Sequence, residues 1–151
     1  MSLMKESDFQ TRFGAWLRTS GQGYFCKSGF AFELKLVRGK DKRLPFQKVA
    51  AHQEAALEAV EGGGLYFKLS DFAPGLKPFD CVWMKGGRGY LVVGYETGRG
   101  QTSPGERGGR IEAVIVCIGA WLALKAAEVA KGRRSVRRED LEAVAERVEW
   151  M

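Results

Sequence analysis

The sequence predicts an α/β fold, a mixed β-sheet flanked by helices with a further strand and two helices at the C-terminal end. Three observations predict it. Phe30-Ala-Phe-Glu-Leu-Lys-Leu-Val37 alternates with the two-residue period of a strand. Phe9, Phe13, Trp16 and Leu17, and later Val49, Gln53, Ala56 and Val60, recur instead at the spacing of one helix face. Short β-rich runs beyond residue 64 then alternate with glycine-rich breaks before an alanine-rich helical stretch. The 151 residues suit one domain spanning 1–151, and neither an internal repeat nor a long linker divides them.

Each element follows from local chemistry. Ser2 or Ser7 is placed to cap a helix over about 5–18, with Glu6 and Asp8 at the end where the helix dipole favours negative charge. Ser20-Gly-Gln-Gly23 breaks it. Residues 24–27 read as a short strand, joined by Ser28-Gly29 to the strand at 30–37 as a hairpin. Arg38-Gly-Lys-Asp-Lys-Arg43 is a basic loop, and Leu44-Pro-Phe46 ends it and seeds a helix over about 47–60. Gly62-Gly-Gly64 stops that helix before a strand at 65–69 and a loop with two prolines at 70–78. Residues 79–84 and 90–95, joined by Lys85-Gly-Gly-Arg-Gly89, read as a second hairpin. After a Gly- and Arg-rich loop at 98–109 come a strand at 111–118 and a helix at 119–131, packed through Trp121 and Leu124. Gly132 ends it, and Ser135 is expected to cap a last helix to about 148.

Composition narrows the function classes. Forty-five per cent hydrophobic and 28 per cent charged residues are ordinary for a soluble domain, and no apolar run approaches the roughly 20 residues of a membrane span. Cys26, Cys81 and Cys117 match neither a zinc-ligand spacing nor a disulfide framework, so they read as reduced core residues of a cytoplasmic protein. A single histidine, His52, excludes sites that need several. A net charge of +6 points to a polyanionic partner, nucleic acid first. Two clusters carry the charge: Arg38, Lys40, Lys42 and Arg43, and Arg133, Arg134, Arg137 and Arg138. A solvated turn is the alternative reading of the first cluster and the plainer reading of the second.

Glu33 and Lys35 stand together on the polar side of a strand whose other side carries Phe30, Phe32, Leu34 and Leu36. Desolvating such a pair is costly unless a metal ion, a phosphate or water compensates it. The alternative is a weak ion pair on a half-exposed strand. Gln53 is directed along the buried stripe of its helix, and His52 beside it is at most a supporting residue. Asp80 puts a charge at the start of its strand; the alternative role is binding backbone N–H groups at a turn.

The order helix, hairpin, helix, strand, with Glu33-Leu-Lys35 on the hairpin's second strand and Gln53 on the next helix, resembles the core of the PD-(D/E)XK nucleases, a restriction-endonuclease-like fold. Phe32-Glu-Leu-Lys35, Leu44-Pro-Phe46 and His52-Gln53 look most like the RecU-type Holliday-junction resolvases of Gram-positive bacteria and their phage relatives. The resemblance covers about residues 5–95. It implies a metal-dependent endonuclease on branched DNA, acting as a homodimer in a bacterial or phage setting. It also implies Mg²⁺ (or Mn²⁺) held by Glu33, Asp80 and the Leu34 carbonyl, with Lys35 and Gln53 as catalytic partners. One departure stands out: residues 24–28, Tyr-Phe-Cys-Lys-Ser, lack the family's aspartate. Either Asp80 in Lys77-Pro-Phe-Asp80 replaces it, or the site is degenerate and the protein binds nucleic acid without cutting. Glu6 or Asp8 stands where the family carries an acid on the first helix.

Overall fold

The computed structural model describes residues 5–21, 30–38, 41–62, 65–68, 81–84, 87–97 and 110–151. In chain order the elements are α1 (Glu6–Trp16), continued by a π-helical turn (Leu17–Gly21), β1 (Phe30–Val37), β2 (Arg43–Pro45), a 3-10 turn (Phe46–Lys48) and α2 (Ala51–Gly62). Then come β3 (Leu65–Lys68), β4 (Cys81–Met84), β5 (Arg88–Thr97), β6 (Arg110–Cys117), α3 (Ile118–Ala130), β7 (Ser135–Arg137), α4 (Arg138–Glu142) and β8 (Arg147–Trp150).

The main sheet has the order β1-β5-β6-β8. β1 runs parallel to β5, with Glu33 beside Leu91 and Lys35 beside Val93. β5–β6 and β6–β8 are antiparallel, so the sheet is mixed. A parallel neighbour requires a crossover connection, and α2 lies within the one that links β1 to β5. β5 is buried on both faces, which is why Leu91, Val92 and Val93 form a continuous apolar run rather than an alternating one.

Helices cover both sheet faces. On one, Phe9, Phe13 and Trp16 of α1 pack against Phe30, Phe32, Leu34 and Leu36 of β1 and against Tyr90, Val92, Ile111, Ala113 and Ile115. Phe9 lies so close over Gly94 that a Cβ there would come within 2.9 Å of its ring. On the other face, Leu57 of α2 and Ile118 and Trp121 of α3 meet Leu91, Val93, Tyr95, Val114 and Val116, with Leu44, Phe46, Val136 and Leu141 closing the end. Here Gly89 is the contact point, since a Cβ would sit 2.4 Å from the Leu57 carbonyl oxygen.

Two sequence expectations are corrected. Of the hairpin expected from 79–84 and 90–95, the described part of the first strand, Cys81–Met84 (β4), pairs with β3 instead, while β5 lies between β1 and β6. The expected last helix over 135–148 is instead β7, a short α4 and β8, because Leu44 and Val114 offer Val136 and Val148 strand partners. Helices at 6–16 and 118–130 and strands at 30–37 and 110–117 lie within a few residues of expectation. The expected strand at 24–27 and the loops at 70–78 and 98–109 lie outside the described residues.

Candidate active site and basic surface

Alternation along β1 places Ala31, Glu33, Lys35 and Val37 on the face that α2 covers. Phe30 to Lys35 are only half-buried, because β1 is a border strand among the described residues. Lys35 Nζ lies 2.7 Å from Glu33 Oε1, and the Gln53 amide nitrogen donates to the same oxygen at 2.7 Å. Gln53 is itself held in place. Its Oε1 accepts the Ala50 backbone N–H at 3.0 Å, one of the N–H groups a helix start leaves unpaired. An oxygen committed to a donor fixes the amide's orientation, so the NH₂ group must face Glu33.

Three of the expected catalytic residues therefore meet at one carboxylate oxygen. Glu33 Oε2 has no partner among the described residues, and the side chains remain accessible, Lys35 at 12% and Glu33 at 25%. A carboxylate has about four acceptor sites, and two are occupied here. Leu34 turns its side chain to the opposite face, away from this pair. Lys48 Nζ donates to the Leu36 carbonyl at 3.4 Å, bringing a further cation to the same strand.

Asp80 lies outside the described residues. His52 is exposed rather than packed behind Gln53. Glu6 and Asp8 sit on α1, whose apolar side packs on the sheet face opposite Glu33. Asp8 accepts the Lys5 backbone N–H at 2.9 Å, a helix-capping role. Among the described residues no group of three or more His, Cys, Asp or Glu side chains is placed to hold a metal ion.

The two basic clusters, 90 residues apart in sequence, come together. β2 and β7 form an antiparallel ladder with Arg43 opposite Arg137 and Pro45 opposite Ser135. Arg43 Nε donates to Ser135 Oγ at 3.1 Å, the Arg138 N–H to the Lys42 carbonyl at 3.1 Å, and the Phe46 N–H to the Arg134 carbonyl at 3.1 Å. Lys42 takes a left-handed turn (φ 43°) to enter this ladder. Arg38 is exposed at the end of β1, and Lys40 lies outside the described residues.

The clusters' cations are not equivalent. Lys42, Arg43 and Arg134 form no ion pair among the described residues. Arg137 is forked onto Asp140 at 2.9 and 3.1 Å, and this hydrogen bonding raises the guanidinium pKa and lowers that of the carboxyl. Arg133 pairs with Glu128. Arg138 also serves the fold: its side chain is 15% exposed, and its guanidinium bridges Glu112 and Glu142 and lies over the Tyr95 ring. Burial works against that charge, but the bonds to Glu142 and Glu112 hold its pKa above the ordinary value. The Tyr95 hydroxyl is buried without a hydrogen-bond partner among the described residues, and desolvation raises its pKa.

Sequence reasoning missed three structural carboxylates, Glu112 paired with Arg138 and two on the helices. Glu54, buried at 8%, accepts the Trp121 indole N–H at 2.7 Å and the Lys125 ammonium at 2.8 and 2.9 Å, tying α2 to α3. Its signal is the buried row Glu54, Leu57 and Val60, three residues apart. Glu128, 3% exposed, is held by Lys131 and Arg133.

Comparison with protein-family models, with curated proteins and with solved structures returned no match. Among the described residues, no helix is long and apolar enough to cross a membrane.

Proposed function

We propose that the chain is a Mg²⁺-dependent endodeoxyribonuclease that hydrolyses phosphodiester bonds in branched DNA. One observation carries the reading. Glu33 has one oxygen gripped by Lys35 and Gln53 and the other without a partner among the described residues, on the half-buried border strand β1, which precedes the basic β2–β7 ladder in the chain. A purely structural carboxylate in this setting is normally satisfied on both oxygens.

The donor chemistry fits a hard divalent cation. Mg²⁺ takes one or two protein carboxylates and completes its octahedron with water and phosphate oxygens. Glu33 Oε2 would supply one such ligand, with the Leu34 carbonyl and Asp80 as the others the resemblance implies. When bound, the cation makes a water nucleophilic near neutral pH and offsets charge on the phosphate. The chain's own residues do the rest. Gln53 fixes the orientation of the Glu33 carboxylate. Lys35 places a positive charge where the phosphate becomes more negative in the transition state, and Lys42, Arg43 and Arg134 hold the backbone of the substrate.

A non-catalytic nucleic-acid-binding protein is the second reading. It is favoured by the direct Lys35–Glu33 contact, which lets the pair neutralise itself without a metal. A panel of duplex, single-stranded and four-way DNA with Mg²⁺ or Mn²⁺ separates the two. The nuclease reading expects cleavage strongest on the branched substrate, and a loss of about a hundredfold or more in Lys35→Ala with DNA affinity retained. Binding without cleavage under any divalent cation supports the second reading. Neutralising Arg43 and Arg134 together should lower the slope of log affinity against log salt by about two. An unchanged slope removes the ladder from the interface.

A further inference from the structure

We infer that the chain pairs with a second copy of itself through the outer edge of β8, so that two sheets join across a two-fold axis. This inference does not rest on the nuclease reading. β8 is the last strand of the main sheet, bonded to β6 on one side and to nothing on the other among the described residues. Ile111 and Met151 exchange both backbone hydrogen bonds, at 3.1 and 2.9 Å. Inward-bonded positions in an antiparallel ladder alternate, so Glu149 is the next such residue. The N–H and C=O groups of Val148 and Trp150 therefore point outward along the free edge.

The side chains at this edge are the wrong kind for a border facing water. Val148 is 40% exposed and Trp150 57%, two of the three large apolar residues this exposed among the described residues. They project on the same face, two positions apart. Natural edge strands are usually protected by inward charge, proline or a covering element. An apolar pair beside outward-facing backbone groups is a template for another strand.

Charge selects a second copy as that strand, and it selects the register. Arg147 and Glu149 share the other face of β8, where Arg147 Nε donates to Glu149 Oε1 at 2.7 Å. An antiparallel two-fold centred on Val148 sets Val148 against its own mate, whose outward groups exchange backbone bonds. It also sets Arg147 of each copy opposite Glu149 of the other. Centring on Glu149 instead places two carboxylates face to face, which is unfavourable. The segment Arg147-Val148-Glu149 is thus self-complementary in one register only.

Sedimentation equilibrium of the full chain, up to about 1 mM protein, tests this. Wild type should show a reversible dimer. Glu149→Arg should weaken it about tenfold or more, because Arg147 then faces an arginine. The exchange R147E/E149R restores the opposite charges and should return the dissociation constant to near wild type. Val148→Pro removes only an outward N–H, and should abolish the dimer while leaving the thermal transition in place. A wild type that stays monomeric throughout overturns the inference. So does a dimer that neither Glu149→Arg nor Val148→Pro weakens. If Val148→Pro fails to fold, the charge reversal and its exchange still decide the question.

Discussion

Gln53 and Glu54 are neighbours on α2, yet they serve two opposite arrangements. Gln53 reaches to Glu33 and Lys35 on the half-exposed border strand, and Glu54 reaches to Trp121 and Lys125 between helices. Both clusters contain a carboxylate, an ammonium group and an N–H donor. The difference lies in how completely the carboxylate is satisfied. Glu54 uses both oxygens, and its partners come from another helix, so the cluster fixes the angle between α2 and α3. Glu33 has both partners on a single oxygen, leaving Oε2 without a partner among the described residues. A saturated carboxylate holds a fold together, whereas a half-saturated one that is also accessible is equipped to bind. Adjacent residues can be assigned different roles on that criterion, without reference to any relative.

The sharpest way to break the comparison is to truncate the two neighbours separately. Gln53→Ala frees Glu33 to rotate and should lower cleavage by roughly tenfold to a hundredfold, an effect in the range of a lost positioning contact. Its cost in stability should be small, about 0.5–1 kcal/mol, from the lost bond to the Ala50 N–H. Glu33→Gln keeps the shape but removes the ligand charge, and should reduce cleavage more than Gln53→Ala does. Initial-rate assays beside denaturant midpoints decide it. If both variants lose only stability, and in proportion to activity, Glu33 belongs with Glu54 as a structural group.

Glu54→Ala should do the reverse. It leaves the Trp121 indole N–H buried without an acceptor and the Lys125 ammonium without its counter-charge, a loss of about 2–3 kcal/mol. Lys125 is about a quarter exposed, so water recovers part of its share. Urea unfolding should report the loss, while activity per folded molecule stays near wild type. A variant as stable as wild type would mean that α2 and α3 are held by Leu57 and Trp121 packing alone.

The comparison also explains how much was legible beforehand. Strand alternation placed Glu33 and Lys35 on one face, a local periodicity that survives folding. The expected stripe of Val49, Gln53, Ala56 and Val60 is kept only in part, because Val49 precedes α2 and its buried row is Glu54, Leu57 and Val60, with Gln53 half-buried beside it. The basic clusters were visible as charge, but their union in one ladder depends on Leu44 and Val136 pairing across 92 residues, which no local pattern encodes. The same reason defeated 135–148. Val136, Leu141, Val144 and Val148 have near-helical spacing, yet β7 and β8 form because distant strands offer them partners, and tertiary contacts override weak propensity. Lys85-Gly-Gly-Arg-Gly89 looked like a hairpin turn, but β5 found its neighbours in β1 and β6. Glu54 was overlooked because a charged residue in a buried row reads as a break in the row until its partners on α3 are known.

The smallest predicted effect concerns a third carboxylate, and it extends the criterion to pH. Glu128 is almost wholly buried and satisfied on both oxygens, by Lys131 and by Arg133. Its hydrogen bonds to Lys131 and Arg133 hold its carboxyl below the ordinary value. A group held low in the folded chain adds stability that is complete above its unfolded pKa, about 4.3 for glutamate. That contribution disappears as the pH falls through the lowered folded value. Glu128→Gln should therefore reduce stability near neutral pH and flatten the acid limb of the stability curve, the two proteins converging at the lowest pH. Asp140, lowered in the same direction by Arg137, remains in both proteins and keeps part of the slope. Denaturant midpoints from neutral pH downward test this. Parallel acid limbs for wild type and Glu128→Gln would show that the Lys131 and Arg133 contacts bring no net stabilisation, and satisfaction of both oxygens would then not suffice to identify a structural carboxylate.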